Sequence, residues 1–155
     1  MARVLVAGIG NIFFGDDGFG VEVARRLSLA QLPASIEVVD AGIAGIHLAY
    51  RLLDGYDLFI AVDAVARGAP PGTVYVMEPS LDDEEIGRAD AHSVDLRAVF
   101  AMVRALGGSL GRIIVVGCEP AELQEQMGLS AAAKAAVEPA MRRVRQIAEE
   151  GAANS

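Results

Sequence analysis

A single cysteine, Cys118, rules out an internal disulfide, so the fold must be held by its core rather than by staples. No apolar run approaches the roughly 18 residues needed to span a bilayer, and membrane insertion is not expected. The apolar N-terminal stretch is short and soon followed by Asp16, which does not fit a signal peptide, so the expected location is cytoplasmic. Basic charge is scarce. Thirteen Lys and Arg against 21 Asp and Glu leave a net charge of −8 and a pI near 4.7, a balance that repels phosphate backbones and excludes nucleic acid as a natural partner. Internal repeats and long linkers are also missing. What remains is a chain of 155 residues, 53% of them apolar. That is enough for one domain over residues 1–150 burying roughly two thirds of its unfolded surface. Residues 151–155 are expected to form a frayed, disordered tail.

The stretch Val4 to Gly20, VLVAGIGNIFFGDDGFG, organises the chain. It starts as a β-branched apolar run and enters an amphipathic helix near Gly18, with a glycine-rich loop between. Such a loop usually cradles an anion, because the helix N-terminus presents unpaired N–H groups and a positive dipole end. Here it carries acid. Gly10 and Gly15 have the spacing of a phosphate loop, yet Asp16 and Asp17 stand where Lys and Ser/Thr would hold phosphate and magnesium. Gly8-x-Gly10 opens like a dinucleotide fingerprint, but Phe13 replaces its third glycine. One of the two aspartates, Asp16 or Asp17, is expected to cap the helix, leaving the other to face a cleft.

Further along, Phe19, Val23 and Leu27 mark the buried face of the first helix. The second strand is read over Ile36–Val39, the second helix over Ile43–Leu53, and the third strand over Leu58–Val62. A short Pro/Gly loop over 66–72 leaves no room for a helical crossover, so the strand Thr73–Met77 should return antiparallel to the third. Residues 78–91 lose all periodicity and read as a flexible loop. Ser93 is a plausible N-cap for a third helix that ends at Gly107-Gly108. Ile113–Val116 is the last strand, followed by a turn at Gly117-Cys118-Glu119-Pro120. Ser130 opens a long alanine-rich helix to about Glu149, with Pro139 as a possible kink. The pattern specifies an α/β three-layer sandwich: a five-stranded, mostly parallel twisted sheet with one antiparallel strand and helices on both faces.

Ligands of such sheets sit at the carboxyl ends of the strands. Three strands lead into aspartate there: the first into Asp16-Asp17, the second into Asp40, the third into Asp63. With the first and third strands close together, Asp17 and Asp63 would face one crevice and His92 could close over it. Two carboxylates and an imidazole form a donor set suited to a borderline divalent metal with open positions. Each residue also has an ordinary structural use: Asp17 as a cap, Asp63 as a turn former, His92 as a surface loop residue.

The run GIGNIFFGDDGFGVEVARRL resembles the GxGNxxxxDDGxG signature of the nickel-iron hydrogenase maturation endopeptidases. VVDAGIAG, LFIAVDAV, the His of DAHSVDL, VVGCEP and LSAAAKAAVEPAM follow in that family's order. The resemblance covers nearly the whole chain. It implies a cytoplasmic, aspartate-based protease that removes the C-terminal extension of a hydrogenase large-subunit precursor after nickel insertion. Nickel is then supplied by the substrate as its recognition signal, although another divalent ion could occupy the site in a crystal. By the same resemblance Asp17, Asp63 and His92 contact the metal, and Asp40 joins Asp17 and Asp63 in the chemistry or positions the peptide. The chain departs from the pattern at Asp17, where some members carry Glu, and at Ile43, where Thr is common.

No HExxH helix or GxSxG elbow points to a zinc protease or a serine hydrolase. Ser93 beside His92 is better read as a cap than as a nucleophile. Cys118, after a buried strand with no basic neighbour in sequence, reads as a structural thiol. A water is therefore expected to hydrolyse the bond. The alternative is a non-proteolytic chaperone or binding module that inspects the hydrogenase metal site without cutting.

Overall fold

The structure, a computed structural model, describes residues 2–42, 45–79, 96–121 and 127–153. Its central strands β1 (Val4–Ile9), β3 (Leu58–Ala64) and β5 (Arg112–Cys118) are buried on both faces, as runs of Val, Ile, Leu and Ala without polar alternation require. With β2 (Ile36–Gly42) and β4 (Val74–Met77) they form one sheet in the order β2-β1-β3-β5-β4. Neighbours run parallel except for β4, which lies antiparallel at the edge. The expected reversal after β3 is therefore present, but β4 pairs with β5 instead of β3. β5 bonds to β3 along its whole length from Leu58↔Arg112 to Ala64↔Cys118, and it thereby displaces the short hairpin partner.

The pleat divides the core. Val4, Val6, Ile60, Val62, Ile114 and Val116 pack against α1 (Phe19–Leu27) and α4 (Ala131–Ala153). Leu5, Ala7, Phe59, Ala61, Ile113 and Val115 face α2 (Gly45–Leu52) and α3 (Leu96–Ala105). Helices thus cover both faces of a five-stranded, mostly parallel sheet. The seating of α1 depends on the absence of side chains. A Cβ on Gly8 would stand 2.3 Å from the carbonyl oxygen of Gly20, and one on Gly20 would stand 1.9 Å from that of Val62. Two glycines of the first motif therefore let the helix lie directly on the sheet.

Element ends shift from the sequence reading in both directions. Gly117 and Cys118 belong to β5 and not to a turn, and β2 runs on through Asp40 to Gly42. The end of α3 agrees with expectation: Gly107, at φ +86°, and Gly108 return their N–H groups to Arg104 and Val103. α4 continues past Pro139 and corrects the frayed tail, since residues 151–153 are helical and Ala152 is buried. Gly151 lies so close to Leu58 that a Cβ would come within 2.5 Å of its Cδ2. The loop expected over 78–91 falls mostly outside the described residues, as do Ile43, His92 and Ser93.

Candidate active site at the carboxyl edge of the sheet

The first loop leaves β1 at Gly10, whose φ of +134° is open to glycine and strained for other residues. There is no room for a side chain either, because a Cβ would fall 1.8 Å from the carbonyl oxygen of Asp17. This contact folds the loop back on itself. The Asn11 N–H donates to Asp17 Oδ2 at 2.8 Å, and Asn11 Oδ1 accepts from the Phe13 N–H at 2.9 Å. Asn11 therefore fixes both the acid and the loop tip.

Gly15–Gly18 is a single 3-10 turn, and both of its aspartates are buried. Neither caps α1, whose N-cap is Gly18 without a side-chain hydrogen bond. The capping expectation fails because Asp16 has better donors elsewhere. Its Oδ1 accepts from the Ser130 N–H at 2.7 Å, and its Oδ2 accepts from the Ala121 N–H at 2.8 Å and the Ser130 hydroxyl at 2.7 Å. Ser130 opens α4 as expected, and its hydroxyl also accepts from the Ala133 N–H at 3.2 Å. One carboxylate thus ties the first loop to the start of the last helix. The Asp17 carboxylate, by contrast, accepts from the Asn11 N–H within its own loop.

Asp63 lies at the penultimate position of β3, 4% exposed, with its Oδ1 accepting from the Ala64 N–H at 2.8 Å. β1 and β3 are hydrogen-bonded neighbours through Gly8↔Val62, and the 3-10 turn packs against β3. The closeness anticipated for the first and third strands is therefore real. Asp40 is placed differently. It is exposed at the edge strand, opposite Gly8, with Oδ1 accepting from the Gly42 N–H at 2.9 Å. By alternation it follows Ile36 and Val38 on the α1–α4 side, whereas Asp63 follows Phe59 and Ala61 on the α2–α3 side. His92 lies outside the described residues, and among those described no three His, Cys, Asp or Glu side chains stand together as a metal-ligand set.

Two functions of the edge were not legible in the sequence. Glu119 is buried beyond the end of β5, and its Oε1 accepts from the Arg67 N–H at 2.8 Å, the Ala69 N–H at 3.2 Å and the Tyr75 hydroxyl at 2.6 Å. Burial pushes its carboxyl up, but these donors and the Gly68 N–H outweigh it and hold the group below the usual carboxylate range. Only the Glu-Pro pair hinted at a special turn. The second is the bond from Asp16 to Ser130, which crosses 114 positions and leaves no local trace. Cys118 matches expectation: burial above all, then the Asp16 and Glu119 carboxylates, push its thiol up to about 12. It is no nucleophile.

Fold and edge together define an α/β domain whose strand ends carry acid instead of a phosphate cradle. The comparisons with known proteins agree on which one. Residues 21–147 match the HycI hydrogenase maturation protease family. The chain is 33% identical over 129 residues to the hydrogenase expression/formation protein HupD of Rhodobacter capsulatus, covering 81% of this chain and 61% of that protein's length. It is 31% identical over 148 residues to the hydrogenase 2 maturation protease of Escherichia coli, covering 92% and 88%. The solved structure of the hydrogenase-maturating endopeptidase HybD from E. coli superposes with a TM-score of 0.83 at 30% identity, covering 96% of this chain and 93% of that one. The chain belongs to the hydrogenase maturation protease family. Among its described residues no helix is long and apolar enough to cross a membrane.

Proposed function

We propose that this protein removes the C-terminal extension of a nickel-iron hydrogenase large-subunit precursor in the cytoplasm, once nickel has been inserted. The observation that carries the reading is the burial of Asp17 and Asp63 on two packed elements at the carboxyl edge of a sheet of this family. Buried carboxylates are costly to keep, and a strand-end crevice is where such folds act. Nickel belongs to the substrate. Asp17 and Asp63 supply hard oxygen donors to it and His92 supplies an imidazole, a set that leaves positions for the precursor's own ligands. Gripping the metal fixes the adjoining peptide, so the scissile bond is presented in one orientation. Hydrolysis adds water across that C–N bond, yielding a new carboxylate on the subunit and a free amine on the released peptide. Asp40, exposed on the edge strand and held by the Gly42 N–H, is suited to contacting the peptide backbone as it passes.

Incubation with a nickel-loaded precursor, read by intact mass, tests the proposal. Wild type should release one C-terminal peptide only when nickel is present, and Asp17→Ala, Asp63→Ala and His92→Ala should each abolish release. Asp40→Asn should raise KM more than it lowers kcat. Tight binding with no change in mass would replace the protease by the metal-inspecting chaperone, and cleavage surviving all three alanine substitutions would move the site elsewhere.

A further inference from the structure

The exit of β3 is held to β5 one residue after another. Asp63 pairs with Gly117 and Ala64 with Cys118 in the ladder. Past the ladder, the Val65 N–H donates to the Cys118 carbonyl at 2.9 Å, and the N–H groups of Arg67 and Ala69 donate to the Glu119 side chain. The same residue's main chain closes the far end of the turn: its carbonyl accepts from the Gly72 N–H at 2.8 Å, and its N–H donates to Thr73 at 2.8 Å. Tyr75 on β4 adds its hydroxyl to the same carboxylate oxygen. The turn after Asp63 is therefore wound around one buried side chain. Two residues on, the Ala121 N–H reaches Asp16, next in sequence to Asp17. The segment from Gly117 to Ala121 touches the turn that follows Asp63 and the loop that carries Asp17.

We propose that Glu119 is a positioning residue, locking the turn that leaves β3 so that Asp63 keeps a fixed place relative to Asp17. The role rests on the reading of Asp63 as a site residue. Within the turn, Thr73 donates its N–H and its hydroxyl to the Pro70 carbonyl, while Pro70 and Pro71 have no N–H to donate and Gly68 and Gly72, at φ +88° and +87°, have little backbone preference of their own. The Glu119 carboxylate supplies an acceptor to the Arg67 and Ala69 N–H groups in the first half of the turn, which the Thr73–Pro70 bonds do not reach.

The test compares Glu119→Ala, Glu119→Gln and Tyr75→Phe with wild type by carbon-13 NMR of aspartate-labelled protein, the Asp63 carboxyl resonance being assigned through Asp63→Asn. Cleavage of the nickel-loaded precursor is measured on the same samples. Glu119→Ala should move the Asp63 resonance and lower kcat by about 10- to 100-fold with KM nearly unchanged, the scale expected for a displaced catalytic group. Glu119→Gln, whose amide oxygen accepts the same bonds, should restore both. Tyr75→Phe, which removes a single donor at the sheet edge, should shift the resonance less and in the same direction, and it serves if Glu119→Ala does not fold. An Asp63 resonance unmoved in folded Glu119→Ala, or in Tyr75→Phe where that is the variant available, would overturn the proposal. So would a moved resonance with wild-type kcat. If wild type leaves the precursor intact, the protease reading falls, and the Asp63 resonance by itself decides whether Glu119 positions that carboxylate.

Discussion

Replacing Gly20 by Ala separates what the helix prefers from what the sheet permits. Gly20 is the second residue of α1, and by helix propensity alone alanine there should stabilise the protein by up to about 1 kcal/mol. The packing demands the opposite sign. The added methyl would stand 1.9 Å from the Val62 carbonyl oxygen and 2.6 Å from that of Ile9, both backbone atoms of buried strands. Reaching ordinary contact near 3.4 Å requires α1 to withdraw by about 1.5 Å. Such a shift lifts Phe19, Val23 and Leu27 from their places in the core. Overpacking of a filled interior costs about 1–3 kcal/mol and more where backbone must move, so the expected net loss is about 3 kcal/mol. Urea denaturation followed by circular dichroism measures it, with Gly107→Ala as the control. Gly107 has a positive φ but nothing within 4 Å of a Cβ, so that change should cost only about 1–2 kcal/mol of backbone strain. A Gly20→Ala protein as stable as wild type, or less affected than Gly107→Ala, would refute the close seating of α1 on β1 and β3.

Asp16→Ala should destabilise the fold by about 3 kcal/mol in the same assay, since three donors lose an ionised acceptor. Asp16→Asn should not rescue it, because either amide orientation turns the NH2 group against the N–H of Ala121 or of Ser130; full stability of the Asn variant would contradict the latch. Cys118 should resist iodoacetamide in the native protein at pH 8 and react on unfolding; rapid native labelling would mean that the thiol is not held near 12. Because its folded value is raised from 9.0, the Cys118 contribution is complete below the unfolded value and is lost as pH climbs from about 9 towards about 12. Cys118→Ala should flatten that alkaline limb of a stability–pH curve, and an unchanged limb would assign the loss to other groups.

The edge of the sheet shows where reading residues in order stops working. Runs such as Leu58–Val62 declare buried parallel strands because both of their faces must be apolar, and the Phe19-Val23-Leu27 spacing declares one face of a helix. Aspartates at strand ends point to the proposed functional edge, because a rule of topology fixes which end of a parallel sheet opens to ligand. Local rules left open which of Asp16 and Asp17 would cap the helix, and in the fold neither does. Capping is a local rule, and the partners that claim Asp16, Ala121 and Ser130, are over 100 positions away.

By itself, then, the chain's periodicity of apolar runs determined the layer architecture, and its short motifs carried the resemblance to the family, since both are features that neighbours in sequence can express. Tertiary structure alone decided that β5 separates β3 from β4, that Glu119 gathers the turn after Asp63, and that Asp40 stands apart on the exposed edge. Each of these depends on which strands become neighbours, and that is settled only when the whole sheet closes its hydrogen bonds and buries both faces at once.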